Sequence, residues 1–253
     1  MRPLQFANHM TATVVSLMRG IACTPAAVQP AQPLVLYDME GCPYCRLVRE
    51  AITDLDLDVL IKPCPKNGVR FRAELHAMGG REQFPYLVDP NTGLSLFESM
   101  DIIDYLYAAY GGRMGPSPRV MKAIRLPTSF ATSALRAGHG LRRRPSRVPD
   151  EPLELWSFEG SPFARPVREL LCELEIPYHL YSIGRTQWQD WVLPPVRARL
   201  LPDYRPAERN RRLLMARAGR VQVPYLHDPN TGQGMFESTD ILAYLEQQYA
   251  RPA

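Results

Sequence analysis

The chain has 253 residues, of which 45% are hydrophobic and 22% are charged. This composition excludes a disordered, collagen-like or membrane-bundle protein, and the length suits two domains of roughly 100–150 residues. The formal net charge of +4 is unevenly placed, because residues 111–149 hold nine basic and no acidic side chains. We interpret this segment as a solvated basic connector, with contact to an anionic partner as the alternative, and expect no nucleic-acid binding.

The five cysteines are too few and too irregularly spaced for a secreted disulfide scaffold. They favour a reducing compartment, so we expect a cytoplasmic protein, with an organellar stroma or matrix as the alternative. No apolar run reaches the roughly 20 residues that span a bilayer, and we therefore expect no transmembrane segment.

In chain order, the apolar run at residues 34–37 predicts a first strand. Pro43 is a favoured first helical residue and opens a helix that we expect to end near Leu55. A second strand is predicted at residues 58–62, and a second helix at 69–78.

Turn-forming residues at positions 89–93 separate two short apolar runs and predict an antiparallel hairpin. A last helix is predicted from Ser99, with Asp101 placed to favour the positive helix start. The resulting order is β-α-β-α-β-β-α.

The same order recurs, because the chain contains an internal repeat. Residues 34–52 match residues 153–171 at 9 of 19 positions, and residues 81–106 match residues 220–245 at 17 of 26. The difference in number between matching residues grows from 119 in the first pair of segments to 139 in the second. The second copy therefore holds a 20-residue insertion, which lies within residues 183–215. Similar segments precede both copies, so each unit is predicted to carry its own leading helix.

The sequence Cys42-Pro43-Tyr44-Cys45 matches the glutaredoxin dithiol motif letter for letter. With a proline opening the third strand, both units resemble thioredoxin-fold domains of the glutaredoxin and glutathione S-transferase N-terminal type. The resemblance implies an α/β fold with two such domains in tandem, each with a leading helix, joined by the basic connector. We expect domains at residues 11–111 and 128–250, with a basic linker at 112–127.

Cys42 is the expected nucleophile, because a thiolate at a helix N-terminus is stabilised by unpaired N–H groups. Cys45 lies one helical turn further and is placed to attack the mixed disulfide that Cys42 forms. A zinc half-site is the alternative, but too few partner ligands lie in the unit, and no metal is expected. Glu40 precedes the motif and would oppose thiolate formation unless Arg46 or Lys62 compensates.

The resemblance also implies a glutathione site in the first unit. Its expected residues are Tyr44, Gln83, Phe84, Pro85, Glu98 and Ser99. The proline is expected to be cis, and a helix start at Ser99 fits a carboxylate while Glu98 attracts an ammonium group. An ordinary strand-edge proline and a simple helix cap are the alternatives for Pro85 and Ser99.

The second unit has lost both cysteines. Ser161 and Ala164 stand in their places, so this unit cannot perform dithiol exchange. It either retains glutathione, with Ser161 facing the glutathione thiol, or has become structural. The corresponding candidate site consists of Ser161, Gln222, Val223, Pro224, Glu237 and Ser238.

We therefore expect a glutathione-dependent thiol–disulfide oxidoreductase with disulfide or glutathionylated protein substrates and glutathione as co-substrate. One alternative is conjugation of glutathione to an electrophile, which we disfavour because no large helical domain follows either unit. The other is a non-enzymatic scaffold that binds glutathione or a protein. Cys172 is expected to be a buried, unreactive thiol. Cys64 is expected to be an unreactive loop cysteine, with an additional thiol near the active site as the alternative.

Overall fold

The computed structural model describes residues 3–252, with side chains described from residue 7 onward. The first unit follows the predicted order closely. A leading helix precedes it, and Pro43 is the first residue of its main helix as expected. Its elements are α1 (Pro3–Val15), β1 (Leu34–Asp38), α2 (Pro43–Leu55), β2 (Val59–Pro63), α3 (Phe71–Gly79), β3 (Tyr86–Asp89), β4 (Leu94–Leu96) and α4 (Ser99–Leu106).

A second set of elements repeats this order after a helical connection. The connection holds π-helical turns at Tyr107–Gly111 and Met121–Arg125, with the short α5 (Pro118–Val120) between them. The second unit then consists of α6 (Leu126–Leu135), β5 (Leu153–Ser157), α7 (Arg165–Glu173), β6 (Tyr178–Ser182), α8 (Pro194–Leu200), α9 (Arg209–Ala218), β7 (Tyr225–Asp228), β8 (Gln233–Phe236) and α10 (Ser238–Tyr249). The predicted insertion contains a 3₁₀ turn at Trp188–Trp191 and α8.

The two units share one eight-stranded sheet in the order β4-β3-β1-β2-β6-β5-β7-β8. Within each unit the first two strands are parallel, and the hairpin adds antiparallel strands. The units meet where β2 and β6 pair antiparallel, with Leu60 opposite His179. The edges of β2 and β6 therefore pair with each other, and the short strands β4 and β8 form the two outer edges of the sheet. One hydrophobic core extends through both units.

The hairpin turn shows why the sequence folds as predicted. Asp89 accepts the backbone N–H of Asn91 at 2.8 Å and the hydroxyl of Tyr105 at 2.6 Å. Gly93 has φ +73°, a conformation that glycine adopts without steric cost. The second unit repeats the arrangement at Asp228, so both hairpins are fixed by the same local hydrogen bonds.

The leading helices are exchanged between the units. In α1, Thr13 donates to the carbonyl of Gly160 at 2.9 Å, and Arg165 donates to the carbonyl of His9 at 2.7 Å. Helix α6 instead packs on α2, where Ser129 donates to the carbonyl of Pro43 at 2.7 Å. Each helix thus precedes one unit in sequence, as predicted, but lies against the motif of the other unit.

The segments that follow these helices cross in the same way. The N–H of Gly160 donates to the carbonyl of Gly20 at 2.7 Å, and the N–H of Gly41 donates to the carbonyl of Gly140 at 3.2 Å. Because the repeat makes both motifs nearly equivalent surfaces, the sequence order alone does not determine which copy a leading helix contacts.

The basic connector is not simply solvated, which corrects that interpretation. Arg136 is only 3% exposed and donates to Glu169 at 2.7 Å. Arg143 pairs with Glu175 at 2.9 Å, and Arg144 pairs with Glu246 at 2.7 Å. Several of its cations therefore neutralise acids of the second unit, while contact with an anionic partner stays a prediction.

No helix within residues 3–252 is long and apolar enough to cross a membrane.

Candidate functional site

Cys42 lies at the amino end of α2, immediately before Pro43, and is 7% exposed. The Cys45 thiol donates a hydrogen bond to the Cys42 sulfur, as do the backbone N–H groups of Cys45 and Tyr44. These hydrogen bonds outweigh burial and the nearby Asp38 carboxylate, and they lower the pKa of Cys42 to about 7. A substantial fraction of the thiol is therefore ionised at neutral pH, as a nucleophile requires.

Cys45 is fully buried inside the first turn of α2. Burial raises the pKa of its thiol well above the ordinary value, with the neighbouring Cys42 sulfur as a further cause. The pair is thus polarised: Cys42 carries the negative charge and Cys45 holds the proton. This division suits an attacking and a resolving thiol.

Glu40 does not oppose the thiolate in the way its sequence position suggested. Its buried carboxylate contacts Arg136 at 3.1 Å, Arg49 at 3.3 Å and Arg168 at 3.4 Å. These guanidinium groups lower the pKa of Glu40 despite its burial and neutralise its charge. The carboxylate that raises the pKa of Cys42 is Asp38, which receives two hydrogen bonds of 2.7 Å from Arg49.

The suggested compensating cations have other partners. Lys62 pairs with Glu74 at 2.6 Å, and Arg46 pairs with Glu50 and Glu159 at 3.2 Å each. The low pKa of Cys42 therefore arises mainly from hydrogen bonds at the helix start.

Both predicted cis prolines are present, since the Phe84-Pro85 and Val223-Pro224 peptide bonds are cis. The glutamine before each bond reaches the acid at the start of the last helix. Gln83 donates to Glu98 at 2.5 Å, and Gln222 donates to Glu237 at 2.5 Å. The structure thus joins the glutamine and glutamate of each predicted site.

Ser99 is the first residue of α4 and is buried, while Glu98 occupies the preceding cap position. The simple helix-cap alternative for Ser99 is therefore wrong. Glu98 has φ 65°, which is unusual for a residue with a side chain and is a conformation found where function constrains the backbone. Glu237 repeats this φ in the second unit, where Ser238 donates to the carbonyl of Phe163 at 2.7 Å.

A cavity of about 520 Å³ brings together all six candidate residues of the second unit. Ser161 is 1% exposed, and its hydroxyl accepts the N–H of Ala164 at 3.1 Å. Sequence reasoning missed further wall residues, including Met10, Arg185 and Leu193. The sequence predicted an insertion, which holds Arg185 and Leu193, and a leading helix, beside which Met10 lies. It did not predict that these segments contact the candidate site.

None of the other three cysteines has the lowered thiol pKa of Cys42. Cys23, Cys64 and Cys172 are buried, and burial raises the pKa of each thiol. Cys172 donates to the carbonyl of Gly140 at 3.3 Å. In the part of the chain that the structure describes, no group of three or more His, Cys, Asp or Glu side chains could hold a metal ion.

Comparison with known proteins relates this geometry to a family. The family described as "Glutathione S-transferase, N-terminal domain" matches residues 36–114 and 155–253. No curated protein matches the chain.

Two solved structures of glutathione transferases are similar to parts of the chain. The transferase from Bombyx mori is 31% identical over 34% of this chain and 39% of its own, with a TM-score of 0.28. A trimeric transferase from Leishmania is 14% identical over 87% of this chain and 69% of its own, with a TM-score of 0.29. The chain thus spans well under two thirds of the Bombyx mori protein.

The two family matches cover both units and well over half of the sequence. They coincide with the two copies of the thioredoxin-like strand order, each with its cis proline and its Glu-Ser helix start. The chain therefore belongs to the glutathione S-transferase N-terminal-domain family and contains two such domains in tandem.

Proposed function

We propose that the protein is a glutathione-dependent thiol–disulfide oxidoreductase whose reaction occurs at Cys42. The observation that carries this proposal is the polarised pair at the start of α2, with a Cys42 pKa of about 7 beside a protonated, buried Cys45. A conjugating transferase needs no second thiol at this position. The pair therefore favours disulfide exchange over conjugation.

The first step is attack on a glutathionylated substrate. The Cys42 thiolate bonds to the glutathione sulfur, the substrate sulfur leaves as a thiolate, and that thiolate takes a proton from water. One disulfide is broken and one is formed, so the substrate thiol is reduced while Cys42 becomes glutathionylated.

We propose that the glutathionyl group is held by Tyr44, Gln83, Phe84, Pro85, Glu98 and Ser99. The start of α4 offers N–H groups to a carboxylate, and Glu98 offers a negative charge to an ammonium group. The backbone of Phe84, beside the cis bond, is suited to pair with the peptide backbone of glutathione.

Resolution follows by one of two routes. Cys45 loses its proton and attacks the Cys42 sulfur, which forms the Cys42–Cys45 disulfide and releases glutathione. Two glutathione molecules then reduce this disulfide and leave as oxidised glutathione. Alternatively, one glutathione thiolate attacks the glutathione sulfur of the mixed disulfide, which forms oxidised glutathione and restores the Cys42 thiolate.

A kinetic comparison tests the proposal. Glutathione-dependent reduction of a small glutathione mixed disulfide is measured for the wild type, Cys42→Ser and Cys45→Ser. We expect Cys42→Ser to lose the activity, whereas retention in Cys45→Ser would identify the direct glutathione route. A wild-type rate equal to that of buffer would contradict the oxidoreductase and favour a binding scaffold.

All five cysteines are free thiols. This supports the proposal that the protein works in a reducing compartment such as the cytoplasm, with disulfide or glutathionylated proteins as its substrates.

The domain limits of 11–111 and 128–250 remain proposals.

A further inference from the structure

The insertion of the second unit presents hydrophobic side chains to solvent. The first unit has no counterpart of this segment, so the strand order that both units share does not require it. Exposed hydrophobic side chains are ordinary when they are scattered singly, whereas a cluster of them marks an interaction site. Five large ones within residues 188–200 are 44–66% exposed and form the insertion surface: Trp188, Trp191, Leu193, Val196 and Leu200.

Helix α8, within the insertion, reverses the usual arrangement of a surface helix. Its Arg197 is 6% exposed and donates to the carbonyl of Val221 at 2.5 Å. Its two large aliphatic side chains, Val196 and Leu200, are four residues apart, which makes them neighbours on the helix surface. Both are exposed. The helix thus buries a cation and presents hydrophobic groups to solvent, whereas a surface helix ordinarily does the opposite.

Buried polar groups hold the insertion on the protein. Asp190 accepts the hydroxyl of Tyr204 at 2.6 Å and pairs with Arg211 of α9 at 3.4 Å. The guanidinium of Arg185 lies 4.6 Å from the ring centre of Trp191. The insertion surface is therefore carried by a segment with defined contacts to the second unit.

A small molecule in the neighbouring cavity does not account for the insertion surface. Leu193 borders that cavity, but Trp188, Trp191, Val196 and Leu200 lie outside its walls. These four side chains face solvent whether the cavity is filled or empty. Covering them takes a partner with an extended apolar surface.

Helix α1 continues the insertion surface. Its residues 3–15 include no Asp, Glu, Lys or Arg. Met10 and Val14 in the helix are exposed, as is Met18 just after it. Met10 and Met18 border the same cavity as Leu193, so the exposed side of α1 lies next to the insertion.

The exposed charges of the insertion are mainly basic. Arg199 and Arg205 are exposed, and Asp203 is the one exposed acid of residues 183–205, since Asp190 is buried. An apolar surface with cations beside it is complementary to a surface that is apolar beneath and negatively charged outside.

The basic connector adds cations near the end of α1. Arg19, which follows Met18, donates to the carbonyl of Arg125 at 3.3 Å, so the connector lies beside this end of the helix. Lys122, three residues before Arg125, is exposed. The positive charge of the insertion is thus matched by positive charge on the side of α1.

We propose that the insertion surface and the exposed side of α1 bind an anionic phospholipid surface. Exposed apolar side chains with neighbouring cations bind the interface of such a membrane without spanning it. Trp188 and Trp191 suit this position, because an indole ring combines an apolar body with one hydrogen-bond donor. Arg199 and Arg205 would lie at the lipid phosphates. This binding goes beyond the proposed reaction at Cys42 and does not depend on it.

Vesicle sedimentation and tryptophan fluorescence test the proposal with the full-length wild type. The vesicles contain phosphatidylcholine alone, or phosphatidylcholine and phosphatidylglycerol in equal amounts. We expect binding to the anionic vesicles, and binding to the neutral ones that is weaker by about tenfold or more. A blue shift should accompany binding, because Trp188 and Trp191 leave water while Trp156 is already buried. No binding to the anionic vesicles, or binding without a blue shift, would overturn the proposal.

Two variants separate the apolar contact from the charge. Leu200→Gln is expected to weaken binding to the anionic vesicles about tenfold or more through the lost apolar burial. Arg199→Gln is expected to weaken it about fivefold and to leave binding to the neutral vesicles unchanged. The matched control is Met78→Gln on α3 of the first unit, which changes a hydrophobic residue that is 49% exposed. An equal loss of binding in this control would contradict the assigned surface.

A second copy of the chain is the competing occupant. If the wild type is a dimer in analytical ultracentrifugation that Leu200→Gln dissociates, and the vesicles are not bound, the lipid proposal is wrong. Cys42→Ser should bind the anionic vesicles as the wild type does, although it is expected to lose disulfide reduction. Failure of lipid binding is therefore distinguishable from failure of the proposed oxidoreductase function.

Discussion

At the scale of single residues, Glu98 and Glu237 share a strained backbone. Glu98 has φ 65° and ψ 119°, and Glu237 has φ 65° and ψ 120°. A conformation of this kind costs about 1–3 kcal/mol for a residue with a side chain. Its presence in both units indicates that the position of the acid, rather than stability, selects this residue.

Replacing Glu98 by glycine tests this explanation. Glycine adopts positive φ freely, so we expect Glu98→Gly to keep the free energy of unfolding or to raise it by about 1 kcal/mol. The same change removes the charge proposed to hold the glutathione ammonium group, so KM for glutathione should rise. Urea unfolding and steady-state kinetics measure the two effects, and a clear loss of stability with unchanged KM would contradict the explanation.

At the scale of elements, the exchanged helices connect the fold to the thiol. Ser129 of α6 is hydrogen-bonded to Pro43 beside Cys42, whereas Thr13 of α1 is hydrogen-bonded to Gly160 beside Ser161. The same kind of contact is therefore made at the dithiol motif of one unit and at a motif without cysteine in the other.

This pairing offers a matched comparison. Ser129→Ala is expected to destabilise the protein by about 1 kcal/mol through its lost hydrogen bond. Thr13→Ala is expected to cost about 2 kcal/mol, because Thr13 also accepts a hydrogen bond from the buried guanidinium of Arg165. Only Ser129→Ala should also speed alkylation of Cys42, by up to about fivefold, because α6 covers that motif. Equal alkylation rates in both variants would show that α6 does not control access to the thiol.

Sequence reasoning succeeded where the structure depends on local chemistry. The hairpin turns, the helix start at Pro43 and the Glu-Ser positions follow from nearby residues and from the repeat. It failed where distant residues decide the outcome. Glu40 is neutralised by Arg136, which lies 96 residues away, and the insertion forms a cavity wall that no periodic pattern encodes.

At the scale of the whole molecule, the two units meet through buried charged groups as well as through the sheet. Asp56, which directly follows α2, shares a side-chain hydrogen bond with Glu208 of the second unit. Burial and the hydrogen bond with Glu208 raise the pKa of Asp56 to about 9. The folded protein therefore holds a proton at Asp56 that the unfolded chain releases above about pH 4.

The proton held at Asp56 makes the free energy of unfolding fall as the pH rises. Since the folded pKa is raised, the stabilisation is complete below about pH 4 and is lost as the pH rises toward 9. Asp56→Asn removes this titration, and asparagine tolerates the left-handed conformation at φ 55°. Relative to the wild type, the variant should be more stable at pH 8 than at pH 5 in urea unfolding. The same stability difference at both pH values would contradict this assignment.

The proposed oxidoreductase function requires Cys42 to be an activated nucleophile, and the pH dependence of its ionisation shows whether it is. Alkylation is followed against pH, with the modified residue identified by mass spectrometry. We expect a midpoint near pH 7 for Cys42, and a higher midpoint in Cys45→Ala because the Cys45 hydrogen bond is the largest cause of the shift. A wild-type midpoint at or above about 8.5, the value of a free cysteine, would contradict the account.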